Sequence, residues 1–480
     1  MNLYQSQLED ERNKTKKLIK IMAIILALLF VMSICILFYI AYLQKKEFKL
    51  YIDSSKINLT SDMLIISEDN GIYISINDIA DKIGYTMNHG EYKNQYSEDN
   101  TKCHLTNKYE AASYIQGSDE IYKTIMAGNK QSEEEHEYFN IDKPVILENN
   151  KLYTTLEGLG KGCNLAYSYD KSNNTIKLYT LDYLVKYYSN SVPDSKKLLE
   201  QDNVDLYKNN KAILYDLMVV QSESGKYGVN SIKNDIVIGE KYKSIVFVEE
   251  TQEFIVETED GKFGIINADG KTKINPEYSS IKQIEKEKGL YLVSKSSNEA
   301  SGRTQYGVIN STQKIVVYLE YDQIGINKSD FFSQDKEIDN QYILYGKCIP
   351  VKKSNKWGLL DINGNVILPV EYDSLGCKYN ASKNESANGI LLVPEYEGIV
   401  VCQNKLYGLF NSSGEQLIPA LVTDMYEITS SGESQYYFTY QGNTLNVISY
   451  LKDTLKIQPV TVTNNNDDGQ SKTEIRNYTE

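Results

Sequence analysis

Histidine is nearly absent: the chain has three, His89, His104 and His136, in 480 residues, and no His-x-His pair. A copper or zinc centre built on imidazoles therefore has few ligands to draw on. The sequence also lacks a glycine-rich phosphate loop, a Gly-x-Ser-x-Gly elbow and a His-Glu-x-x-His helix, so nothing points to nucleotide, acyl or zinc-peptidase chemistry. Outside one apolar run there are five cysteines, Cys103, Cys163, Cys348, Cys377 and Cys402. That number is odd, the spacing is scattered and no Cys-x-x-Cys occurs, so the set lacks the rhythm of a disulfide scaffold and the spacing of a thiolate metal knuckle, and the redox state of the five stays open. Cys103 and His104 are adjacent on an expected strand and point to opposite faces, so they make a poor metal pair. The run Glu133-Glu134-Glu135-His136-Glu137 reads as a solvated charged loop. We therefore expect no catalytic residue, no cofactor and no metal ligand.

Positive charge is outweighed by negative. The formal net charge is −14, yet residues 1–49 hold eight Lys/Arg against four Asp/Glu, leaving 43 against 61 beyond them. An acidic body of that size does not attract nucleic acid or other polyanions.

Long apolar runs are limited to one. From Ile21 to Leu43 there are 23 residues without a formal charge, enough to span a bilayer with some tilt. The bulky exit Phe38-Tyr39-Ile40-Ala41-Tyr42-Leu43 is unlike a signal-peptidase site and favours an uncleaved anchor, with Tyr39 and Tyr42 at the interface. Lone Cys35 inside it reads as a small apolar residue. Arg12, Lys14, Lys16, Lys17 and Lys20 precede the run, and Lys45, Lys46, Lys49 and Lys56 follow it. The excess places the N-terminus in the cytoplasm and the remainder outside.

What is abundant is a repeat. A basic residue or its equivalent, an aromatic, glycine and an aliphatic pair recur as Lys226-Tyr227-Gly228-Val229, Lys262-Phe263-Gly264-Ile265, Gln305-Tyr306-Gly307-Val308, Lys356-Trp357-Gly358-Leu359 and Leu406-Tyr407-Gly408-Leu409. The aromatics step by 36, 43, 51 and 50 residues, which suits a unit of about four short strands with insertions in later copies. In the cleanest copy Phe254–Glu257 reads as a strand and Asp260-Gly261 as a hairpin turn. Phe263–Asn267 pairs back, Asp269-Gly270 turns again, and the copy closes on Tyr278-Ser279-Ser280-Ile281. Each aromatic is read as packing between sheets, its glycine as room for a neighbouring aromatic against the backbone. An eroded sixth copy is expected at Asn443-Thr444-Leu445-Asn446-Val447-Ile448.

These residues resemble the WG repeat family. Lys356 to Asp373 follows its signature at Trp357, Gly358, Asp361, Gly364, Ile367, Pro369, Tyr372 and Asp373, and residues 205–460 carry weaker copies. The resemblance implies four-stranded sheets arranged as a β-propeller or an open propeller-like array of about six units.

Residues 48–185 read as a different, α+β module. Gly71 to Tyr85 is a strand and then a helix capped near Asn77 or Asp78 and stopped at glycine. Leu152 to Gly160 is a shorter version, followed by Leu165–Asp170, a turn at 171–174 and the strand Thr175–Tyr179. The stretch is similar to the N-terminal domain of copper amine oxidases, widespread as a surface module in bacteria. Ile83-Gly84 and Tyr169-Asp170 keep its Leu-Gly and Trp-Asp positions, while Ile74-Ser75-Ile76 and Tyr153-Thr154-Thr155 replace its Pro-Leu strand. In the enzymes this domain is a stalk without copper or quinone. The quinone motif is missing here as well, since Thr106-Asn107-Lys108-Tyr109-Glu110 lacks asparagine before tyrosine.

The expected organisation is thus mainly β: a cytoplasmic tail at 1–17, a transmembrane helix at 18–44, the stalk-like domain at 48–185, a linker at 186–210, the repeat domain at 211–460 and a disordered tail at 461–480. Polar insertions are expected at Asn327–Asn340 and Lys378–Asn388. The expected role is a non-catalytic, membrane-anchored scaffold or binding protein with a protein or cell-wall ligand. An envelope sensor, or a hydrolase with carboxylates at the propeller mouth, is the alternative.

Overall fold

The structure is a computed structural model that describes residues 2–67, 71–89, 100–125, 135–199, 204–285, 289–296, 302–327, 341–342, 347–377, 387–430 and 433–460. Most of both expected insertions, the residues Glu133-Glu134 and the C-terminal tail lie outside the described residues. The chain divides into two compact units. The first comprises residues 1–107, 112–122 and 138–184; the second comprises 108–111, 123–137 and 185–480.

The first unit begins with one uninterrupted helix, Asn2–Lys46. The charged leading residues and the apolar run share that helix, with no break at residue 17 or 18. Its stretch Leu8–Tyr39 is long and apolar enough to cross a membrane, as a span or a signal anchor. Its apolar side chains are uncovered, Phe38 being 72 % exposed.

The two look-alike segments of the α+β part pair with each other. Strand Ile72–Ser75 runs antiparallel to Lys151–Thr155, in the register Tyr153↔Ser75, Thr154↔Ile74 and Thr155↔Tyr73. Leu64–Ile66 and Ile146–Glu148 flank them. Each central strand feeds a helix, Ile76–Ile79 with Ala80–Ile83 in one case and Leu156–Cys163 in the other. Both seal one core around Ile74, Ile76, Ile79, Leu152 and Leu159, all fully buried. A second sheet joins Lys49–Ile52 in parallel to Thr175–Tyr179, with Ala166–Asp170 and Ser55–Ile57 outside.

Helix boundaries differ from the sequence expectation. Neither Asn77 nor Asp78 caps the first helix: Asn77 Oδ1 accepts the N–H of Leu152 at 2.9 Å, and Asp78 pairs with Lys151 at 2.8 Å. The second helix passes Gly160 and ends at Cys163, where Asn164 takes the left-handed position at φ 49°. Its glycines serve packing, not termination. A Cβ on Gly162 would stand closer than 3.0 Å to the Tyr114 hydroxyl, which donates to the Gly158 carbonyl at 3.1 Å.

Lys151 also meets Asp62 at 2.7 Å. Its ammonium, with the Thr60 hydroxyl, holds the Asp62 carboxyl down at about 2. A carboxyl depressed on folding lends stability above its unfolded pKa of about 4, and that stability fades as pH falls through the folded value. Asp62→Asn should therefore lower the melting temperature of the first unit at pH 5, and the gap between the two proteins should shrink towards pH 2. Parallel melts at both pH values check the sign.

The second unit is built from six sheets of three to five strands among the described residues. The first has Leu217–Gln221, Tyr227–Ser231 and Ile236–Tyr242. The second has Ser244–Val248, Glu253–Glu257, Phe263–Asn267 and Thr272–Tyr278. The third has Ser280–Glu285, Leu290–Ser296, Thr304–Asn310 and Ile315–Tyr321. The fourth has Gln323–Ile324, Cys348–Lys353, Lys356–Asp361 and Val366–Tyr372. The fifth centres on Gly398–Gln403, Leu406–Asn411 and Gln416–Val422. In the sixth, Asp424–Ser430, Glu433–Tyr440 and Asn443–Asn446 stand in order. The eroded copy supplies that last strand and then leaves the pattern, because Asn446 caps a helix starting at Val447 through the N–H of Ser449.

In the stretch expected to be a polar connector with a short helix at 195–201, a helix stands at Lys196–Leu199, and two more follow at Val204–Asn210 and Lys211–Tyr215. Their apolar residues Leu198, Leu206 and Ala212 share a core with Leu217, Val219 and Phe247. Asn209 acts as a strand surrogate. Its carboxamide donates to the Ile245 carbonyl and accepts the Phe247 N–H, both at 2.8 Å, satisfying two groups on the edge of the second sheet. Terminal repeats need such a cover.

Candidate functional site

The repeated residues converge on one structural element. The aromatic-glycine pair lies in the strand before each outermost strand. The aromatic stands opposite the residue that closes that outer strand: Tyr227↔Tyr242, Phe263↔Tyr278, Tyr306↔Tyr321, Trp357↔Tyr372 and Tyr407↔Val422. One pair further on, Val229 meets Ile238, and the equivalents follow suit, so the single glycine faces three bulged residues. The bulge presses backbone onto the glycine. A Cβ on Gly228, Gly264, Gly307, Gly358 or Gly408 would stand 2.6–2.9 Å from the carbonyl oxygens of Ile238, Ile274, Val317, Leu368 and Ile418. The glycine thus makes room for the next strand's backbone and not, as expected, for a neighbouring aromatic. Of the aromatics only Trp357 is buried, at 4 % exposure, while Tyr227, Phe263, Tyr306 and Tyr407 are half-buried. Lys352 Nζ lies 5.1 Å from the Trp357 ring, a cation–π contact.

Three bulges contain a proline, Pro276, Pro369 and Pro419. Proline offers no N–H to an incoming strand, so bulge and proline together blunt these outer edges.

The turn that follows is built five times in the same way. One side-chain oxygen accepts the N–H groups two and four residues on, from Ser231 (3.2 and 3.1 Å), Asn267 (3.2 and 2.8 Å), Asn310 (3.0 and 2.9 Å), Asp361 (2.8 and 2.8 Å) and Asn411 (3.1 and 2.8 Å). Burial raises the pKa of Asp361, but hydrogen bonds from Asn365 and Asn363 outweigh it and the net shift is downward. Asp361→Ala leaves two N–H groups without that acceptor and should cost about 1–2 kcal/mol. The check is a urea titration followed by fluorescence of Trp357, the only tryptophan.

Consecutive sheets are joined by one residue, Lys243, Ser279, Asp322, Asp373 or Thr423. Each linker N–H donates to the second strand of the sheet it enters, at Glu257, Ser294, Lys352, Cys402 and Thr439, over 2.7–3.0 Å. Asp373 shows why the signature couples its lysine to its Tyr-Asp. Its carboxylate meets Lys356 at 2.6 Å and accepts the N–H of Asn404 at 2.7 Å. Asp322 does the same with Arg303 at 2.9 Å and Ser354 at 2.7 Å. Outer-strand carboxylates also bridge forward to the next sheet, Glu277 to Lys295 at 3.5 Å and Glu320 to Lys353 at 2.9 Å. Pairs this exposed are each worth about 0–1 kcal/mol.

Two buried ionic groups were invisible in the sequence because their members are far apart in it. Glu110 and Lys123, both fully buried, pair at 2.9 Å; Lys211 lies 3.7 Å from Glu110 and 3.0 Å from Glu249. Burial, then Glu249, pushes the Tyr215 hydroxyl up to about 12. Between the second and third sheets, buried Glu253 pairs with Lys273 and accepts the Tyr291 hydroxyl at 2.7 Å; burial and that carboxylate both raise the tyrosine's pKa.

All six cysteines are free thiols. Burial raises Cys103, and it pushes Cys348 and Cys377 each up to about 12, so these thiols are poor nucleophiles. Cys103 joins the apolar core, whereas His104 turns to Ser113, with Nδ1 and Oγ 2.6 Å apart. That histidine is buried at 8 % exposure, deeper than the surface or half-buried position expected of it, since both faces of its strand are covered. Among the described residues no three His, Cys, Asp or Glu side chains are grouped to hold a metal ion.

Residues 263–298, 306–332 and 357–377 match the family described as the WG containing repeat. The C-terminal part of the chain therefore carries WG-type repeats. No curated protein matches the chain. Among solved structures, "AfRom2 CNH domain" is 11 % identical, covering 48 % of this chain and 92 % of its own, at a TM-score of 0.16. "Crystal structure of the eukaryotic initiation factor" is 9 % identical, covering 80 % and 94 %, at a TM-score of 0.26. At those scores neither likeness carries an argument about the fold.

Proposed function

We propose that the protein is a non-catalytic binding or scaffold protein, held at a membrane by Ile21–Leu43 with its N-terminus cytoplasmic and its β units outside. The repeat sheets form a propeller-like array in this reading, and residues 48–185 act as the stalk that their resemblance to amine oxidase N-terminal domains suggests. The ligand is a protein or a cell-wall component.

The supporting observation is the use made of the recurring polar residues. The residues at the positions of Asp361, Asp322 and Asp373 bind backbone N–H groups or neighbouring side chains of the array itself. Repetition of this kind maintains a surface and does not assemble a reaction centre. The full-length chain, solubilised in detergent and immobilised, should retain a specific component of envelope extracts or sediment with purified cell wall. Retention no greater than that of bare beads in both assays contradicts the reading.

A further inference from the structure

We propose that the face Arg12–Lys20 of the N-terminal helix is an interaction surface for anionic phospholipid headgroups. This rests on the reading of Ile21–Leu43 as a membrane anchor.

Three observations carry it. Residues 12–20 hold five basic side chains, Arg12, Lys14, Lys16, Lys17 and Lys20, and no acidic one, within a chain whose net charge is −14. The helix runs unbroken from Asn2 to Lys46, which fixes their depth. At 1.5 Å per residue, Lys20, Lys17, Lys16 and Arg12 lie about 1.5, 6, 7.5 and 13.5 Å from Ile21 along the axis. A headgroup layer is about 5–7 Å thick, so the three lysines sit in it or at its border, and the Arg12 guanidinium is within about one Debye length of it. Arg12, Lys16 and Lys20 recur every fourth residue and so share one face, with Lys17 beside them.

The third observation is pairing. Asp10 engages Lys14 at 2.9 Å, whereas Arg12, Lys16, Lys17 and Lys20 have no ion-pair partner among the described residues. Beyond the apolar run the basic residues are sparser, Lys45, Lys46, Lys49 and Lys56 with Glu47 among them. The denser group of cations therefore precedes the anchor. Attraction to an anionic leaflet is what such a cluster supplies.

The test reconstitutes the full-length chain in phosphatidylcholine vesicles with spin-labelled phosphatidylglycerol or spin-labelled phosphatidylcholine as probe. The motionally restricted fraction of phosphatidylglycerol should exceed that of phosphatidylcholine by about threefold or more at low salt and approach it at high salt. The quadruple variant Arg12→Gln, Lys16→Gln, Lys17→Gln and Lys20→Gln should insert equally and show no preference. Equal restriction of both probes in the unaltered protein overturns the proposal, as does a preference that survives in the variant. Displacement of the probe by inorganic phosphate, but not by chloride of equal ionic strength, also overturns it, because the site would then bind a free anion. Release of the protein by alkaline carbonate would defeat the anchor reading itself, a failure separable from loss of lipid preference alone.

Discussion

Lys123→Met is expected to destabilise the second unit by about 3–5 kcal/mol, since it strands the Glu110 carboxylate where water does not reach. Glu110 and Lys123 are both fully buried, and Lys211, at 3.7 Å from Glu110, is nearer to Glu249 at 3.0 Å. Lys211 can therefore compensate only in part. Replacing Glu110 and Lys123 together with apolar residues should recover much of the loss, because the desolvation of both charges disappears with them. The urea midpoint read from Trp357 fluorescence measures both variants. A single variant as stable as the unaltered protein would show that water reaches the pair.

Gly264→Ala carries the other large effect. Its Cβ would fall 2.6 Å from the Ile274 carbonyl oxygen and 2.7 Å from the Pro276 nitrogen, both backbone atoms held by the bulge. Overpacking of this kind costs about 1–3 kcal/mol, and here it stands at the upper end because no flexible side chain can move aside. The control lies in the outer strand of the first sheet, where a Cβ on Gly239 meets nothing within 4 Å. Gly239→Ala should stay within about 0.5 kcal/mol of the unaltered protein. Equal effects at the two glycines would remove the reason given for the motif.

The strands around Phe263 and the turn at Asp269-Gly270 were legible because alternation and turn chemistry are local signals. In the third sheet, where Gln313 replaces the turn glycine, it still takes a left-handed φ of 62°. Its side chain then reaches the preceding sheet, accepting the Asn275 N–H at 3.2 Å and donating to Glu277 at 2.7 Å. A Cβ on Gly270, Gly364 or Gly414 would press on Val237, Val316 or Ile367 of the preceding sheet's outer strand. The turn thus docks one sheet on another, a role no single repeat reveals. The role of the glycine in the motif was misread for the same reason. Its constraint comes from a bulge on the partner strand, which strand periodicity does not encode. The short helix at Lys196–Leu199 falls within the expected 195–201, whereas Val204–Asn210 and Lys211–Tyr215 were not legible because Asn209 and Asn210 interrupt the apolar spacing of Leu206 and Ala212.

Neighbouring sheets are continuous through single hydrogen-bonded residues. Hydrogen–deuterium exchange resolved to single amides tests it at Lys243, Ser279, Asp322, Asp373 and Thr423. All five should exchange as slowly as the strands they join, because each donates to the sheet it enters. Exchange at those five amides as fast as at exposed turns would contradict it.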